Sequence, residues 1–572
     1  MASENIVIIP RKRVSLQKMQ DDYDNGDREP LRDLLKAWKG IQELPASDPN
    51  SFFTIAGYHG EPFRGPGATS TSLGWWGGFC NHGNILFPTW HRAYVLRIED
   101  ALRSIPGCGH VTLPFWDETL VVTTIMEQNG TGPPQTDPDQ GLPLTPALPP
   151  VIPKILTSKT FDFDDGKGPV DNPLYSYALA KEIKDLAGDD ADYSKPKGYK
   201  TVRYPLSGLV GGHDYVSSSD HNKIYTNEET NCDLLNENVF NWLTGSIKIT
   251  PDPAEPTKYP NTFSVFERFK RCFEAKNYNI FSNTESQAYW IEKDGHSGKD
   301  YYESLESPHN AIHLAVGGFY VPGEYDADEI LGANGDMGEN DTAAFDPIFF
   351  FHHCFIDHVF WLWQQKNGKT DDLGLELDYN DPGLSSAGIA GIAQGEIVSL
   401  DTKLFPFGYT SQSGYYAYTS RDVVNIETQL GYTYGPSSLS PYAAPVEHGG
   451  LKLPSFRKQL GGTVGVSGLS RDAISGSFVV EIHGTRTVGG KEEEIIVDRQ
   501  AILSRWGIQG CLNCKNHLEV KLFAPVLQSL LSDGEHWTFK PVVKDRKYSG
   551  IAKPHLKFNP RGFTPVAEFV KF

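Results

Sequence analysis

Apolar residues recur at helical spacing in three stretches of the chain and at alternate positions in four others. In "REPLRDLLKAWKGIQEL" (28–44), Leu31, Leu34, Leu35 and Trp38 fall on one face, the spacing of an amphipathic helix. "HRAYVLRIEDALRS" (91–104) predicts a second helix, begun by His91, with Tyr94, Val95, Ile98 and Leu102 inward. "DPIFFFHHCFIDHVFWLWQQK" (346–366) predicts a third; it is apolar almost all round and therefore buried. After "GYTYG" (431–435) the period changes to two. "GSFVVEIHG", "EEEIIVDRQ", "HLEVKLFAP" and "HWTFKPVV" read as strands joined by Gly-rich turns. The pattern predicts a mainly α region over 1–435, its last part (400–435, rich in Tyr, Ser and Gly) a linker, and a small all-β domain over 436–572. Two stretches read as loops: 127–153, rich in Pro, Gly and Thr, and 183–232, which has no helical period.

Length supports two domains, since 572 residues exceed one ordinary core. The formal charge of −20 argues against nucleic acid, because phosphate binding needs a basic surface. The start, "MASENIVIIPRKRVSLQKMQ", lacks an apolar run of signal-peptide length. No stretch approaches the roughly 18 apolar residues of a membrane span. The expectation is a cytoplasmic protein, or one released without a cleaved signal, with no membrane partner; a homo-oligomer is compatible with the composition. Seven cysteines are an odd number for a disulfide framework. Cys511 and Cys514, spaced Cys-x-x-Cys, are the pair with candidate chemistry.

The histidines change the picture most. In "ESPHNAIHLAVGG", Ser307 can cap a helix and Pro308 suits its first turn. His309 and His313 then lie at i and i+4 on one face, the way one helix offers two imidazoles to one metal. The buried third helix, with Asp346 and Pro347 at its start, carries His352, His353, Asp357 and His358, which must be satisfied somehow. A metal satisfies imidazole nitrogen, and Asp357, one turn beyond His353, can orient a ligand from behind. His59, His82 and His91 also sit in apolar settings. Two groups of three neutral imidazoles imply two metals. All-nitrogen ligation leans toward copper, with zinc and iron left open by the chemistry alone.

His82 in "CNHGNIL", "FPTWHR" around His91 and "DPIFFFHHCFID" resemble the two copper signatures of tyrosinases, shared with catechol oxidases and molluscan haemocyanins. The resemblance covers about residues 50–365. It implies a four-helix-bundle core with long loops, two copper ions, and dioxygen as co-substrate. By it, His59, His82 and His91 would bind the first copper and His309, His313 and His353 the second, with His352 a neighbour. Where the family usually has arginine after its aspartate, this chain has His358, which raises the loss of an ion pair at Asp357. Cys80 fits the family position whose thiol forms a thioether to the ring of His82.

The implied activity is ortho-hydroxylation of monophenols and oxidation of o-diphenols to o-quinones, on small phenols such as tyrosine and DOPA. A phenol of pKa about 10 must lose its proton, so a base helps. The family arrangement for this maps onto Asn310, after His309, with Glu306 nearby; Glu306 reads equally as an acid complementing the helix dipole. The β domain corresponds to a C-terminal lid that plugs the pocket in latent enzymes, with Trp506 or Ile508 as plug. In "CLNCKNH", Cys511, Cys514 and His517 are soft ligands suited to Cu(I) loading, or the cysteines are a redox pair or local disulfide. The competing readings are a catechol or o-aminophenol oxidase with the same coppers, and a haemocyanin-like oxygen carrier.

Overall fold

The structure is a computed structural model. It describes residues 9–61, 78–129, 150–183, 194–210, 215–245, 264–293, 301–318, 330, 332–387, 394–444, 456–471, 474, 476–504, 517–531, 536–545 and 565–571. Helices dominate as far as residue 367. In order they are α1 (Leu16–Asp24), α2 (Glu29–Glu43), α3 (Phe52–Gly57), α4 (Phe87–Ser104), α5 (Leu120–Asn129), α6 (Lys154–Thr157) and α7 (Tyr215–Ile224). Then come α8 (Glu228–Thr244), α9 (Val265–Cys272), α10 (Tyr278–Ser282), α11 (Thr284–Glu292), α12 (Glu306–Gly317), α13 (Ile348–Asn367) and the short α14 (Ser440–Ala443). α4 packs on α13 and α2, and α12 packs on α8 and α9.

The first predicted helix forms as α2, with Leu31, Leu34, Leu35 and Trp38 fully buried. The other starts differ from expectation. α4 begins at Phe87 with Pro88 in its first turn, where proline's missing N–H costs nothing. His91 therefore lies one turn inside the helix rather than at its start. α12 begins at Glu306, and its N-cap, Leu305, offers no side-chain cap. Ser307 does not cap it; its hydroxyl accepts from Arg268 Nη1 at 3.1 Å. Asp346 does support the start of α13, accepting the Ile348 N–H at 3.1 Å.

The stretch 183–232 is not all loop, since α7 and the start of α8 lie in it. Asn227 caps α8 by accepting the Thr230 N–H at 3.0 Å, and Glu228 and Glu229 in the first turn complement the dipole. In the other predicted loop, residues 127–129 close α5 and 130–149 lie outside the described residues.

β1 (Arg11–Arg13) opens the strands. Three small antiparallel pairs follow: β2 (Thr160–Phe161) with β3 (Val170–Asp171), β4 (Ser385–Ala387) with β5 (Gln394–Ile397), and β6 (Lys403–Ser411) with β7 (Gly414–Thr419). β8 (Tyr432–Tyr434) returns to pair in parallel with β1. Beyond it lie β9 (Leu460–Ser470), β10 (Phe478–Val488), β11 (Lys491–Ile502), β12 (Glu519–Leu527), β13 (Thr538–Asp545) and β14 (Val566–Lys571). They form two antiparallel three-stranded sheets, ordered β11-β10-β13 and β12-β9-β14. The four predicted strands appear as β10 to β13. β9 was not predicted, because Gly461, Gly462, Gly465 and Gly468 dilute its alternation. β11 packs on α12. Among the described residues no helix is long and apolar enough to cross a membrane.

Candidate metal centre

Four segments bring imidazoles together. α3 ends just before His59, and Tyr94 of α4 pins that end, its hydroxyl donating to the Ile55 carbonyl at 2.7 Å and to Ala56 at 3.2 Å. His82 sits on the turn before α4. Gly83 there has φ +66°, a left-handed conformation that favours glycine. Its N–H donates to Glu306 Oε1 at 2.9 Å, so α12 holds the His82 turn. His91 is locked within α4, Nδ1 against the Phe87 carbonyl at 2.8 Å. His313 Nδ1 likewise meets the Met337 carbonyl at 2.9 Å, and His309 Nδ1 meets Asn310 Oδ1 at 2.9 Å. With Nδ1–H donating in each, Nε2 is left as the bare nitrogen.

His59, His82 and His91 bring one ligand atom each within 4.8 Å of one another, and so do His309, His313, His352 and His353. The two groups face each other: the rings of His91 and His353 stack at 4.5 Å between centroids, and His82 lies 5.6 Å from His309. His309 Nε2 is 3.2 Å from His313 Nε2 and 3.4 Å from His353 Nε2. Two nitrogens about 2.0–2.1 Å from one tetrahedral ion would be about 3.3 Å apart. The His91 Nε2 is buried without a hydrogen-bond partner, a costly state that a metal bond relieves. Burial pushes His91 down to about 3 and His313 to about 4, and holds His309 and His353 well below the usual imidazole range. These rings are neutral, as ligands must be. Neither group contains a carboxylate, so the donor set fits copper rather than magnesium or calcium.

The remaining expected residues are placed unevenly. Asp357 does not bond His353. Its oxygens accept from Arg92 Nε at 2.5 Å and from the Tyr432 and Tyr434 hydroxyls, both at 2.6 Å, and Arg13 lies at 3.6 Å. The ion pair that His358 seemed to remove is therefore supplied by arginines from elsewhere, while His358 stacks on Tyr434 at 4.5 Å. Glu306 is buried, and both its oxygens accept backbone N–H groups, from Gly83 and, at 3.0 Å, from Thr284. Burial raises its carboxyl above the usual range despite these bonds. Cys80 is buried. Trp506, Ile508, Cys511 and Cys514 lie outside the described residues. His517 is buried, and its ring lies against the Gly83 turn: a Cβ on Gly83 would meet His517 Cδ2 at 3.3 Å.

One participant escaped the sequence reading. His352, expected as a neighbour of His353, lies with the second group, and behind it is Glu118, whose Oε1 is 2.6 Å from His352 Nδ1. The available signal was the adjacent acids Asp117 and Glu118 inside the apolar run "TLPFWDETLVV".

Over residues 49–366 the chain matches the common central domain of tyrosinase. The chain belongs to the tyrosinase family. All seven histidines of the two groups fall inside that match. A tyrosinase of a Hahella species is 42% identical over 92% of this chain and 90% of its own length. The solved tyrosinase from Burkholderia thailandensis superposes with a TM-score of 0.76 at 41% identity, covering 98% of this chain and 100% of that one. A pro-tyrosinase of Aspergillus oryzae shares the fold, with a TM-score of 0.57 at 19% identity over 95% of this chain and 89% of that one. Tyrosinases are copper oxidoreductases with a dinuclear copper centre that uses dioxygen, and the two histidine groups are what this chain offers such a centre.

Proposed function

We propose that the chain is a tyrosinase in the full sense, hydroxylating monophenols ortho to the hydroxyl and oxidising o-diphenols to o-quinones, and that it is made latent. The observation that carries this is the facing pair of all-imidazole groups, buried except for the half-buried His82. His59, His82 and His91 hold the first copper, and His309, His313 and His353 the second. When bound, the copper pair supplies the electron exchange with dioxygen. The chain supplies position and a dry site: the carbonyls of Phe87 and Met337 fix two ring tautomers. Asn310 gives its amide oxygen to His309, which leaves its amide N–H groups to orient a water or the phenol. Glu306 acts through the His82 turn that it holds. We read the histidine-bearing helices as part of the four-helix bundle the family implies.

Latency is supported by what covers α12. Asp498 of β11 pairs with Arg268 at 2.6 Å, and Arg268 also donates to Ser307 of α12. His517 abuts the His82 turn, and one structural neighbour is a pro-tyrosinase. On this reading, residues 436–572 form the lid, and Cys511, Cys514 and His517 serve copper loading. Oxygen uptake on tyrosine and on L-DOPA, by the full chain and by a chain cut near 435, tests both claims. The cut chain should act on both phenols and faster than the full chain. Equal rates overturn latency; uptake on the diphenol alone leaves a catechol oxidase; uptake on neither leaves a carrier.

We also infer the thioether from Cys80 to the ring of His82, which lies two residues on in the same turn. Forming it joins Cys80 Sγ to a carbon of the His82 ring with loss of the S–H and C–H hydrogens, a two-electron oxidation for which dioxygen, the co-substrate, is the acceptor; the intact mass should be lighter by two hydrogens, and Cys80→Ala should abolish the deficit. A mass equal to the unmodified sequence rules the link out.

A further inference from the structure

A line of aromatic side chains leads from the first histidine group to the surface. Trp90 is fully buried, its ring 4.8 Å from that of His91 and 6.3 Å from that of His59, between centroids. Phe407 of β6 lies 5.1 Å from Trp90, and Tyr58 lies 6.1 Å from Phe407. Tyr58 and Tyr418 are close enough to Tyr415 of β7 to oppose its ionisation. Tyr418 packs on the core, 5.9 Å from Tyr409, and Tyr409 is 5.2 Å from Tyr416.

Packing explains the inner rings but not the outer ones. Tyr409 is 50% exposed and Tyr416 45%, so neither gains much from burial. They are directly opposed across β6 and β7, which makes their side chains neighbours. Tryptophan and tyrosine are the aromatic side chains that give up one electron most readily. Tyrosine loses its phenol proton as it does so, and that proton needs water or a base. Trp90 keeps its own proton, Nε1–H donating to the Phe405 carbonyl at 2.8 Å, and Tyr415 donates to the Pro406 carbonyl at 2.6 Å. These two can pass an electron on but are poor places for oxidation to end. Phe407 is not oxidised; its ring fills the gap between Trp90 and Tyr58. Tyr409 and Tyr416 meet solvent and can release both electron and proton.

We propose that this line drains oxidising equivalents from the copper centre when no phenol is there to take them, and that it ends in a covalent bond between Tyr409 and Tyr416. The two rings join carbon to carbon, ortho to their hydroxyls, and each loses one hydrogen. Two electrons pass inward along the line and two protons enter solvent. Together with the two electrons held by the reduced copper pair, they take one dioxygen to two waters, with four protons drawn from solvent. The inference rests on the family's dioxygen-using dicopper centre, and stands apart from the monophenolase and latency readings.

The test uses the copper-loaded full chain, reduced, freed of reductant and exposed to air without a phenol. Trypsin, cutting after Lys403 and Arg421, releases residues 404–421 as one peptide. It holds Tyr409, Tyr415, Tyr416 and Tyr418 and leaves out Cys80 and His82, so the thioether cannot affect its mass. The peptide should become lighter by two hydrogens and acquire the blue fluorescence of dityrosine. Tyr409→Phe, on the surface, should abolish both changes. Trp90→Phe and Tyr58→Phe, each loaded to the wild-type copper content, should lose them too. If Trp90→Phe does not hold copper, Tyr58→Phe alone decides the route. An unchanged peptide from the aerated wild type would overturn the inference. So would a deficit that formed without copper, persisted in Tyr409→Phe, or survived in every copper-loaded route variant.

Discussion

Replacing His91 by glutamine is expected to remove one copper per chain and to lower oxygen uptake on L-DOPA by more than about 100-fold, beyond the 10- to 100-fold typical of losing a supporting group behind a ligand. His91 is the ligand candidate whose surroundings leave it least else to do. Its Nδ1 is bound to its own helix and its Nε2 has no partner. It faces the second group directly, ring on ring with His353, so loss of the first metal removes the pair and not merely one half of it. Glutamine is of similar size and can keep the bond to the Phe87 carbonyl, so the copper-free protein should melt close to the wild type. The difference should appear on adding copper. A ligand present at 1,000 times its dissociation constant stabilises by about 4 kcal/mol, and the variant should lose the part due to the first site. Copper content and the copper-induced rise in melting temperature check this. A variant with two coppers and an unchanged rise would remove His91 from the ligand set.

What the sequence shows of this site follows from distance along the chain. His309 and His313 are visible because one helix turn relates them, and His352 and His353 because an almost wholly apolar helix leaves few readings for a buried imidazole. His59 was weaker, being placed by the tertiary bonds from Tyr94 to the end of α3. The partners behind the ligands were not legible. Glu118 meets His352, and Arg268 meets Asp498, across more than 200 residues, and a charged residue read alone is by default a solvated one. The same limit explains Glu306. The family resemblance implies a base there, but its oxygens go to Gly83 and Thr284, and neither bond has any mark in the local sequence. The helix starts failed for another reason: Leu86 and Leu305 cap α4 and α12 without a side-chain bond, so the capping residues that announce a start were absent. At α8 the capping residue was present, and the polar sequence after it hid the helix.

Asp357→Asn should cost about 3–5 kcal/mol of stability, the range for removing one partner of a buried ion pair. Asp357 is buried, and it joins the two helices that face the metal site. Arg92, its partner at 2.5 Å, follows His91 on α4, while Asp357 itself lies one turn beyond His353 on α13. The same carboxylate takes the hydroxyls of Tyr432 and Tyr434, and Arg13 of β1 stacks on Tyr432 at 3.6 Å. Asparagine keeps the shape but loses the charge, and turns an N–H donor toward groups that are themselves donors. Arg13 retains Glu99, and Arg92 retains the carbonyls of Val423 and Val424, which sets the expectation at the lower end. The pH dependence has a definite sign. Burial opposes ionisation, but the charges of Arg92 and Arg13 outweigh it and hold Asp357 below the usual carboxylate range; Arg13 does the same for Glu99. A depressed carboxyl adds stability that is complete above its unfolded value, near 4, and is lost as pH falls through the folded one. The gap between wild type and variant in denaturant midpoint should therefore be full at pH 7 and narrow below about 4. Because the pair spaces α4 from α13, copper affinity should fall along with stability. A variant as stable as the wild type at pH 7, or one whose deficit grew on acidification, would show that this pair does not brace the two helices.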